Sequence, residues 1–202
     1  STQGLQNLTA AMNVTVTGHS GANSANLNVD RDSDYTGNWT INLGDGNDSL
    51  LSAKLKNGDS IDMGAGDDVV YLMLTGSNGT PSISAANLTK LDGGAGNDTL
   101  GFEESGSNTS ELTLTTAGAT NFENIIGTAG AETIKGDNNA NVLTGKNGAD
   151  TLYGYGGNDT LHADSNGSTN QTSSDVLYGG AGNDTLYGNA GDNTLDGGTG
   201  AD

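Results

Sequence analysis

Aliphatic residues recur every nine positions along the C-terminal part of the chain, with glycines and polar residues between them. From Gly127 the sequence divides into GTAGAETIK, GDNNANVLT, GKNGADTLY and GYGGNDTLH. A longer unit, Ala163 to Tyr178, then precedes GGAGNDTLY, GNAGDNTLD and the partial unit GGTGAD. Position eight of the complete units holds Ile134, Leu143, Leu152, Leu161, Leu177, Leu186 and Leu195. One inward aliphatic residue per unit predicts a turn over positions one to six and a short strand over positions seven to nine.

The N-terminal part shows a different pattern, in which apolar and polar residues alternate. The alternating runs are Asn13–Thr17, Ala25–Val29 and Asn38–Asn42. Alternation predicts strands with one buried face, and the wide spacing of the runs predicts longer coils and longer turns. Leu5, Leu8 and Met12 have helical spacing, which predicts a short cap over the exposed core at this end.

Composition restricts the kind of core and the kind of partner. Glycine accounts for 34 of the 202 residues, and hydrophobic residues make up only 32%, too few for an ordinary thick core. Six basic residues face 25 acidic ones, and the net charge of −19 argues against nucleic acid or an anionic membrane surface as a partner. No apolar run reaches the length of a membrane span, about 20 residues. Cysteine is absent, so disulfides are excluded. The ordered class of protein that remains is a thin repetitive fold stabilised by bound cations.

The turns of the repeat have the chemistry of a calcium site. Glycine at positions one, two and four permits backbone dihedral angles closed to other residues, so that carbonyl groups can converge on one point. Position six adds a carboxylate in most units, as in Asp150, Asp159, Asp175, Asp184 and Asp202. Calcium takes six to eight oxygen ligands, many of them from the backbone. Because two units form one coil, turns two units apart should stack with an ion between them.

Diluted copies of the unit precede the regular array. LGDGNDSL at 43–50, MGAGDDVV at 63–70 and GGAGNDTL at 93–100 match the turn and its aliphatic position, and NGDSI at 57–61 is a degenerate turn on the opposite side. We expect the first two of these turns to stack around calcium, with an insertion at 75–86 before the third. The predicted organisation is one continuous domain, with an irregular part at 1–121 and a regular array at 122–202.

The unit G-G-x-G-x-D-x-U-x, in which U is aliphatic, resembles the calcium-binding nonapeptide of the RTX (repeats-in-toxin) family. The resemblance implies an all-β fold, a parallel β-roll or β-solenoid stapled by about five or more calcium ions. It further implies that carbonyls of positions one and three bind one ion, that those of positions two and four bind the next, and that the position-six Asp bridges both. The residues that would hold calcium are Leu43, Gly44, Asp45, Gly46, Asp48, Met63, Gly64, Ala65, Gly66, Asp68, Gly93, Gly94, Ala95, Gly96, Asp98, Gly145, Asn147, Asp150, Gly154, Tyr155, Gly156, Gly157, Asp159, Asp175, Gly179, Gly180, Ala181, Gly182, Asp184, Gly197, Gly198, Thr199, Gly200 and Asp202.

Three units of the array depart from the pattern at position six, and calcium occupancy at their turns is left open. Glu132, Asn141 and Asn193 stand there in place of Asp. Outside the array, the loop 30–34 has the form D-x-D-x-D, and two interpretations remain. It is either a further calcium site or an exposed acidic turn whose charges Arg31 neutralises.

Position nine of the unit should face outward and form aromatic ladders. Tyr153 and Tyr178 fall on one sheet, and His162 and Tyr187 fall on the other. Neighbouring strands lie about 4.8 Å apart, so these rings should stack. The ladders either stabilise a thin sheet by cross-strand packing or offer a platform to a ligand.

The resemblance to RTX proteins implies calcium-driven folding outside the cell after type I secretion, with a secreted or bacterial cell-surface location. The first ten residues predict no signal peptide, and GGTGAD stops in mid-repeat, so we expect a monomeric module of a longer chain. Excursions at 75–86, 101–110 and 163–174 interrupt the array, and loops on a rigid scaffold commonly carry binding. This organisation resembles the ligand-binding modules of large RTX adhesins and predicts a calcium-dependent adhesion module for a peptide or protein on a cell surface.

A peptide ligand would need apolar anchors and a partner for its carboxylate. The predicted ligand-binding residues are Arg31, Tyr35, Trp39, Tyr71 and Phe102. Two other functions remain open: a structural segment of an S-layer or lattice, and a folding or polysaccharide-binding accessory module of a secreted RTX enzyme. The sequence contains neither cysteine nor H-E-x-x-H, and no catalytic constellation stands out, so the chain is not expected to be an enzyme.

Overall fold

The structure is a computed structural model, and its description covers six stretches of the chain. These stretches are residues 13–26, 37–53, 58–73, 90–103, 111–164 and 172–202. The chain forms two compact units. The first unit contains Ser1–Thr75, Pro81–Gly101 and Thr115–Phe122, and the second contains Gly76–Thr80, Phe102–Leu114 and Glu123–Asp202. Within the described residues, no helix is long and apolar enough to span a membrane.

The first unit is built from two sets of parallel strands, numbered in chain order, with alternate strands in alternate sets. One sheet has the order β1 (Val14–Thr17), β3 (Trp39–Asn42), β5 (Ser60–Asp62), β7 (Lys90–Asp92). The other set has the order β8 (Thr99–Glu103), β6 (Val69–Met73), β4 (Ser49–Ala53), β2 (Ser24–Asn26). A single turn of 3-10 helix covers Thr116–Gly118. The chain therefore passes from one set to the other after every strand, as the windings of a solenoid do.

The second unit repeats this arrangement with greater regularity. One set has the order β16 (Thr185–Tyr187), β14 (Thr160–His162), β12 (Val142–Thr144), β10 (Asn124–Ile126). The other sheet has the order β17 (Thr194–Thr199), β15 (Val176–Ala181), β13 (Thr151–Gly156), β11 (Thr133–Lys135), β9 (Glu111–Thr113). The predicted all-β parallel roll is confirmed.

The register of the strands follows the repeat. Leu143 pairs with Leu161, and Leu152 pairs with Leu177, so position eight always meets position eight of the neighbouring coil. Equivalent turn residues lie 18 positions apart in the regular coils, and 25 apart where the chain makes its excursion at 163–174. In the first unit the steps are 25, 20 and 30 residues, each longer than the 18 of the regular coils.

The core is one side chain thick. In the second unit the position-eight residues Ile134, Leu143, Leu152, Leu161 and Leu177 are completely buried. Burial of each side chain stabilises the fold by about 1.5–3 kcal/mol, so a large total requires many stacked coils. Leu195, at the same position of the unit, is 46% exposed.

Two residues predicted to contact a ligand belong to the core instead. Trp39 is 1% exposed and Phe102 is completely buried. Both stand at inward positions of their strands, where burial of a large aromatic ring contributes to the core. Neither ring offers an anchor to a ligand at the surface.

Several strands of the second unit are longer than the three residues predicted. β13, β15 and β17 each have six residues and continue into positions one to three of the next turn. The reason is that the turns of successive coils pair with each other: Tyr155 pairs with Gly180, and Gly180 with Gly198. The turn is therefore part of the hydrogen-bonded stack rather than a free connection.

Candidate metal sites

All residues predicted to bind calcium lie in turns that stack in columns. In the first unit one column follows β1, β3, β5 and β7 and contains turns 18–23, 43–48, 63–68 and 93–98. In the second unit, column A follows β10, β12, β14 and β16 and contains turns 127–132, 145–150, 163–175 and 188–193. Column B follows β11, β13, β15 and β17 and contains turns 136–141, 154–159, 179–184 and 197–202.

One oxygen of each position-six carboxylate is used to join neighbouring coils. The Oδ1 atom of Asp159 accepts the backbone N–H of Asn141 at 2.8 Å, and Oδ1 of Asp184 accepts the N–H of Asp159 at 2.8 Å. In the first unit Oδ1 of Asp68 accepts the N–H of Asp48 at 2.7 Å in the same way. Each carboxylate therefore satisfies a backbone donor that the turn would otherwise bury without a partner.

The second oxygen of five of these carboxylates has no hydrogen-bond partner in the described part of the chain. These are the buried Oδ2 atoms of Asp48, Asp68, Asp150, Asp159 and Asp184. A buried polar oxygen without a partner is costly, and a buried carboxylate oxygen more so unless a cation compensates it. Bound cations at these turns would satisfy such atoms.

A backbone carbonyl points into the same space as the unsatisfied carboxylate oxygen. A Cβ atom built on Gly154 would stand 2.3 Å from Oδ2 of Asp159 and 2.6 Å from the carbonyl oxygen of Gly179 in the next coil. The equivalent point on Gly179 lies 2.5 Å from Oδ2 of Asp184 and 2.6 Å from the carbonyl oxygen of Gly197. In these two turns glycine at position one keeps open the space beside the converging oxygens, because a Cβ there would fill it; Leu43, Met63 and Ala163 stand at position one of other turns.

The glycines at positions two and four serve the close stacking of the turns. Gly180 and Gly182 have φ angles of 111° and 146°, in the region that disfavours residues with a Cβ. A Cβ on Gly182 would stand 1.6 Å from the carbonyl oxygen of Gly157 in the preceding coil. Lys146 and Tyr155 adopt φ angles of 79° and 75° at position two, which places a strained non-glycine residue in each of those turns.

Burial changes the acid–base chemistry of these carboxyl groups. Burial raises the pKa of Asp150 to about 8 and that of Asp159 to about 6. Burial also raises the pKa of Asp68 and of Asp175. Without a cation burial therefore shifts these four carboxyl groups toward the protonated form, and a divalent ion would compete with the protons.

The three units that lack Asp at position six satisfy that position with protein groups. Nδ2 of Asn193 donates to the carbonyl oxygens of Gly188 and Ala190, the latter at 3.3 Å, so an amide nitrogen lies among oxygens that would otherwise face a cation. Oδ1 of Asn141 accepts the N–H of Asp137 at 2.8 Å, within its own turn.

Glu132 satisfies position six with a longer carboxylate. Its carboxylate accepts hydrogen bonds from the side-chain hydroxyl and the backbone N–H of Thr128, the latter at 3.2 Å. The open question of calcium at these three turns therefore has a physical basis, because hydrogen bonds within each turn compete with the ion.

A further turn of this type was missed in the sequence. The segment GHSGAN at 18–23 precedes turn 43–48 by one coil, and Nδ2 of Asn23 lies within 3.2 Å of four oxygens. The acceptors are the carbonyl oxygens of His19 at 2.8 Å, Gly21 at 2.7 Å and Leu43 at 3.1 Å, and Oδ1 of Asp48 at 3.2 Å. Glycine at positions one and four was the available signal, but the small polar residues that follow it concealed the aliphatic position.

The remaining sequence-predicted residues have simpler outcomes. Tyr71 is half-buried, and its ring lies over Gly101, where a Cβ would stand 2.5 Å from ring carbons. Arg31, Tyr35 and the acidic loop 30–34 lie outside the described residues, as do the predicted N-terminal cap and the insertion 75–86. Gly58 and Asp59 form the predicted degenerate turn, in which Oδ1 of Asp59 accepts the N–H of Trp39 at 2.8 Å.

The aromatic ladders form as predicted. The ring centroids of Tyr153 and Tyr178 are 5.0 Å apart with planes 10° from parallel, and those of His162 and Tyr187 are 4.6 Å apart at 4°. Tyr155 extends the first ladder at 5.9 Å from Tyr153. Burial lowers the pKa of His162, which favours the neutral ring in this stack.

Side chains alone do not form a metal centre in the described part of the chain. No group of three or more His, Cys, Asp or Glu side chains there is arranged to hold an ion. The oxygen atoms for a cation must therefore come mainly from backbone carbonyls, with one or two carboxylates per site. That donor set suits calcium, which accepts many neutral carbonyl oxygens, better than zinc, which favours a few nitrogen or sulfur ligands.

Comparison with protein families agrees with this geometry. The family model of the RTX calcium-binding nonapeptide repeat matches four copies, at residues 90–100, 126–161 and 171–202. The chain carries RTX calcium-binding repeats arranged as a parallel β-roll, and such repeats are typical of secreted proteins. No curated protein sequence matches the chain. The position-six carboxylates and the backbone carbonyls of the stacked turns are the groups that would hold Ca²⁺, whose charge would compensate the buried acidic groups.

Proposed function

We propose that this chain is a calcium-dependent adhesion module of a secreted protein, which holds a peptide or protein ligand at a cell surface. The observation that carries the proposal is the constancy of the coil across long interruptions. β13 and β15 pair in the same register as β11 and β13, although the step between their turns is 25 residues instead of 18. The scaffold thus tolerates added chain without losing its order, which is typical of frameworks that present binding loops.

The second support is an exposed aromatic surface on the regular array. Tyr155 and Tyr178 are 47% and 36% exposed, and both stack on Tyr153. Tyrosine supplies contact area at a small loss of conformational entropy, and it is enriched where proteins bind partners. Since Trp39 and Phe102 are buried, this tyrosine ladder takes their place as the apolar anchor of the proposed ligand surface.

The proposal is tested with a displayed random-peptide library on the immobilised chain, in millimolar calcium and again in excess chelator. We expect peptides retained in calcium to be released by the chelator, and the unbound chain to stay monomeric in light scattering. Growth of calcium-dependent assemblies without peptide retention would instead favour the lattice function, and retention of anionic polysaccharide would favour the accessory-module function.

Two variants locate the surface. Deletion of residues 165–171 restores the 18-residue step and removes the excursion, while Tyr178→Ser removes one ring of the exposed ladder. Tyr187→Ser is the matched control on the opposite sheet, because Tyr187 is also exposed and stacked. Retention unchanged in both variants, with the calcium-dependent fold intact, would contradict the placement of the ligand on this part of the chain.

A further inference from the structure

The long turn of column A departs from the others after its second position. Ala163 and Asp164 stand at positions one and two, directly after β14, and Asp175 stands at position six. Ser173 occupies position four, because its carbonyl oxygen lies 1.8 Å from the point where a Cβ on Gly191 would stand, the contact that position-four glycines make in the other turns. Thr172 is then position three, and the seven additional residues of the longer step, 165–171, fall between positions two and three.

Asp164 is a buried acidic residue that the nonapeptide pattern does not explain. The residue has no solvent exposure, and neither oxygen of its carboxylate has a hydrogen-bond partner. The position-six carboxylates differ in this respect, since each uses Oδ1 to accept a backbone N–H from the preceding coil. A carboxylate buried with both oxygens unsatisfied is a larger penalty than any of those, and it demands a compensating positive charge.

The groups around Asp164 belong to the calcium column. Asp175 is close enough for its charge to raise the pKa of Asp164, in addition to the larger effect of burial. Oδ1 of Asp175 accepts the N–H of Asp150 at 2.8 Å, and the hydroxyl of Ser173 lies 3.4 Å from its Oδ2. The carbonyl oxygen of Ala163 and Oδ2 of Asp150 lie 2.5 Å and 2.4 Å from the point where a Cβ on Gly145 would stand. Carbonyl and carboxylate oxygens thus converge next to Asp164.

We propose that the side chain of Asp164 is a direct calcium ligand of column A, beside Asp175. Its carboxylate adds a charged group with two oxygens to the carbonyl and carboxylate oxygens of the turn. Because calcium affinity rises with the number of charged ligands, this site binds calcium more tightly than the regular sites around it. The long turn is thereby the first to load as the calcium concentration rises.

The test is calcium titration of the full chain by isothermal calorimetry, with far-UV circular dichroism to follow folding. Asp164→Asn keeps the shape and removes the charge, Asp164→Glu keeps the charge, and Asp196→Asn removes an equal charge from an exposed position. We expect Asp164→Asn to lose the tightest site or to weaken it at least about tenfold, and Asp164→Glu to recover part of the loss. Asp196→Asn should titrate as the wild type does.

Two outcomes would decide against the inference, and one further outcome would support it. If Asp164→Asn binds calcium with wild-type affinity and stoichiometry, Asp164 is not a ligand. If Asp164→Asn fails to fold even at calcium concentrations about 100-fold above the wild-type midpoint, the role of the side chain is independent of the metal. A folding defect that excess calcium repairs supports the inference, because it reports weakened binding rather than damaged packing.

Discussion

Asp150 should act as a switch between a proton and calcium, and replacing it by Asn separates the two effects. Burial raises its pKa from 3.8 to about 8, so the metal-free fold favours the protonated group and becomes less stable as pH rises from 4 to 8. At 1.36 kcal/mol per unit the penalty at pH 7 is about 4 kcal/mol, and solvent screening reduces it to about 2 kcal/mol. Asp150→Asn removes the penalty and retains an Oδ1 acceptor for the N–H of Glu132.

In excess chelator at pH 7.5, Asp150→Asn should therefore fold more readily than the wild type, although it has lost a calcium ligand. The wild type should be largely unfolded there, because a core one side chain thick does not offset chain entropy of about 1–2 kcal/mol per residue. Folding can be titrated with trimethylamine N-oxide, an excluded osmolyte that favours burial, and followed by circular dichroism. The variant should need less osmolyte at pH 7.5, and the difference should vanish near pH 4, where both side chains are neutral.

In calcium the order should reverse, with the wild type the more stable of the two. Asp196→Asn, an exposed change of the same chemistry, should show neither effect. Equal osmolyte midpoints for Asp150→Asn and wild type at pH 7.5, or a difference that persists at pH 4, would refute the reasoning, because the penalty would then not arise from ionisation of Asp150.

Three further changes test the columns. Asp159→Ala and Asp184→Ala remove carboxylates from neighbouring turns, and calorimetry should find about one or two fewer calcium ions in either variant. An unchanged calcium stoichiometry would contradict the stacking register. Asn193→Asp replaces the amide that closes its turn by a carboxylate, and calorimetry should find about one additional ion; the same count as wild type would mean that the turn cannot hold calcium. Gly154→Ala places a Cβ 2.3 Å and 2.6 Å from the two converging oxygens and should weaken calcium binding about tenfold. Gly156→Ala is the control, because its Cβ meets nothing closer than 3.4 Å. Equal calcium affinities of the two variants would contradict the proposed role of that space.

Much of the second unit could be predicted from sequence because spacing determines contacts in a solenoid. A fixed interval between aliphatic residues sets the strand register, and the register sets which turns and which outward rings meet. The stacking of Tyr153 on Tyr178 therefore followed from counting, even across the excursion. The match of Asp159 with Asp184 followed for the same reason.

The features that could not be predicted are the burial and the hydrogen-bond partners of single side chains, which spacing along the chain does not determine. Trp39 alternates with polar residues in either case, and only its burial in the folded chain shows that its ring belongs to the core. Asp164 lies in a polar stretch that resembles any exposed loop, and only the folded chain shows that it is buried. Asn193 stands at the position of a calcium ligand in the repeat, whereas its amide nitrogen donates to carbonyl oxygens of its own turn. Asn23 makes similar bonds in a turn that the repeat pattern did not reveal.

The direction of the carboxylate bonds has a consequence for how such a chain can change length. Each position-six carboxylate accepts from the coil before it, so every coil carries the acceptor that its predecessor requires. Duplication of 18 residues therefore adds a coil whose backbone N–H meets the carboxylate of the coil after it. The added coil also supplies a carboxylate for the N–H of the coil before it, so the other coils keep their bonds. Duplication of nine residues would instead exchange the two columns in everything downstream, moving Tyr178 to the face of His162. Gain or loss of repeats therefore preserves the stacking of the array only when whole coils of 18 residues are added or removed.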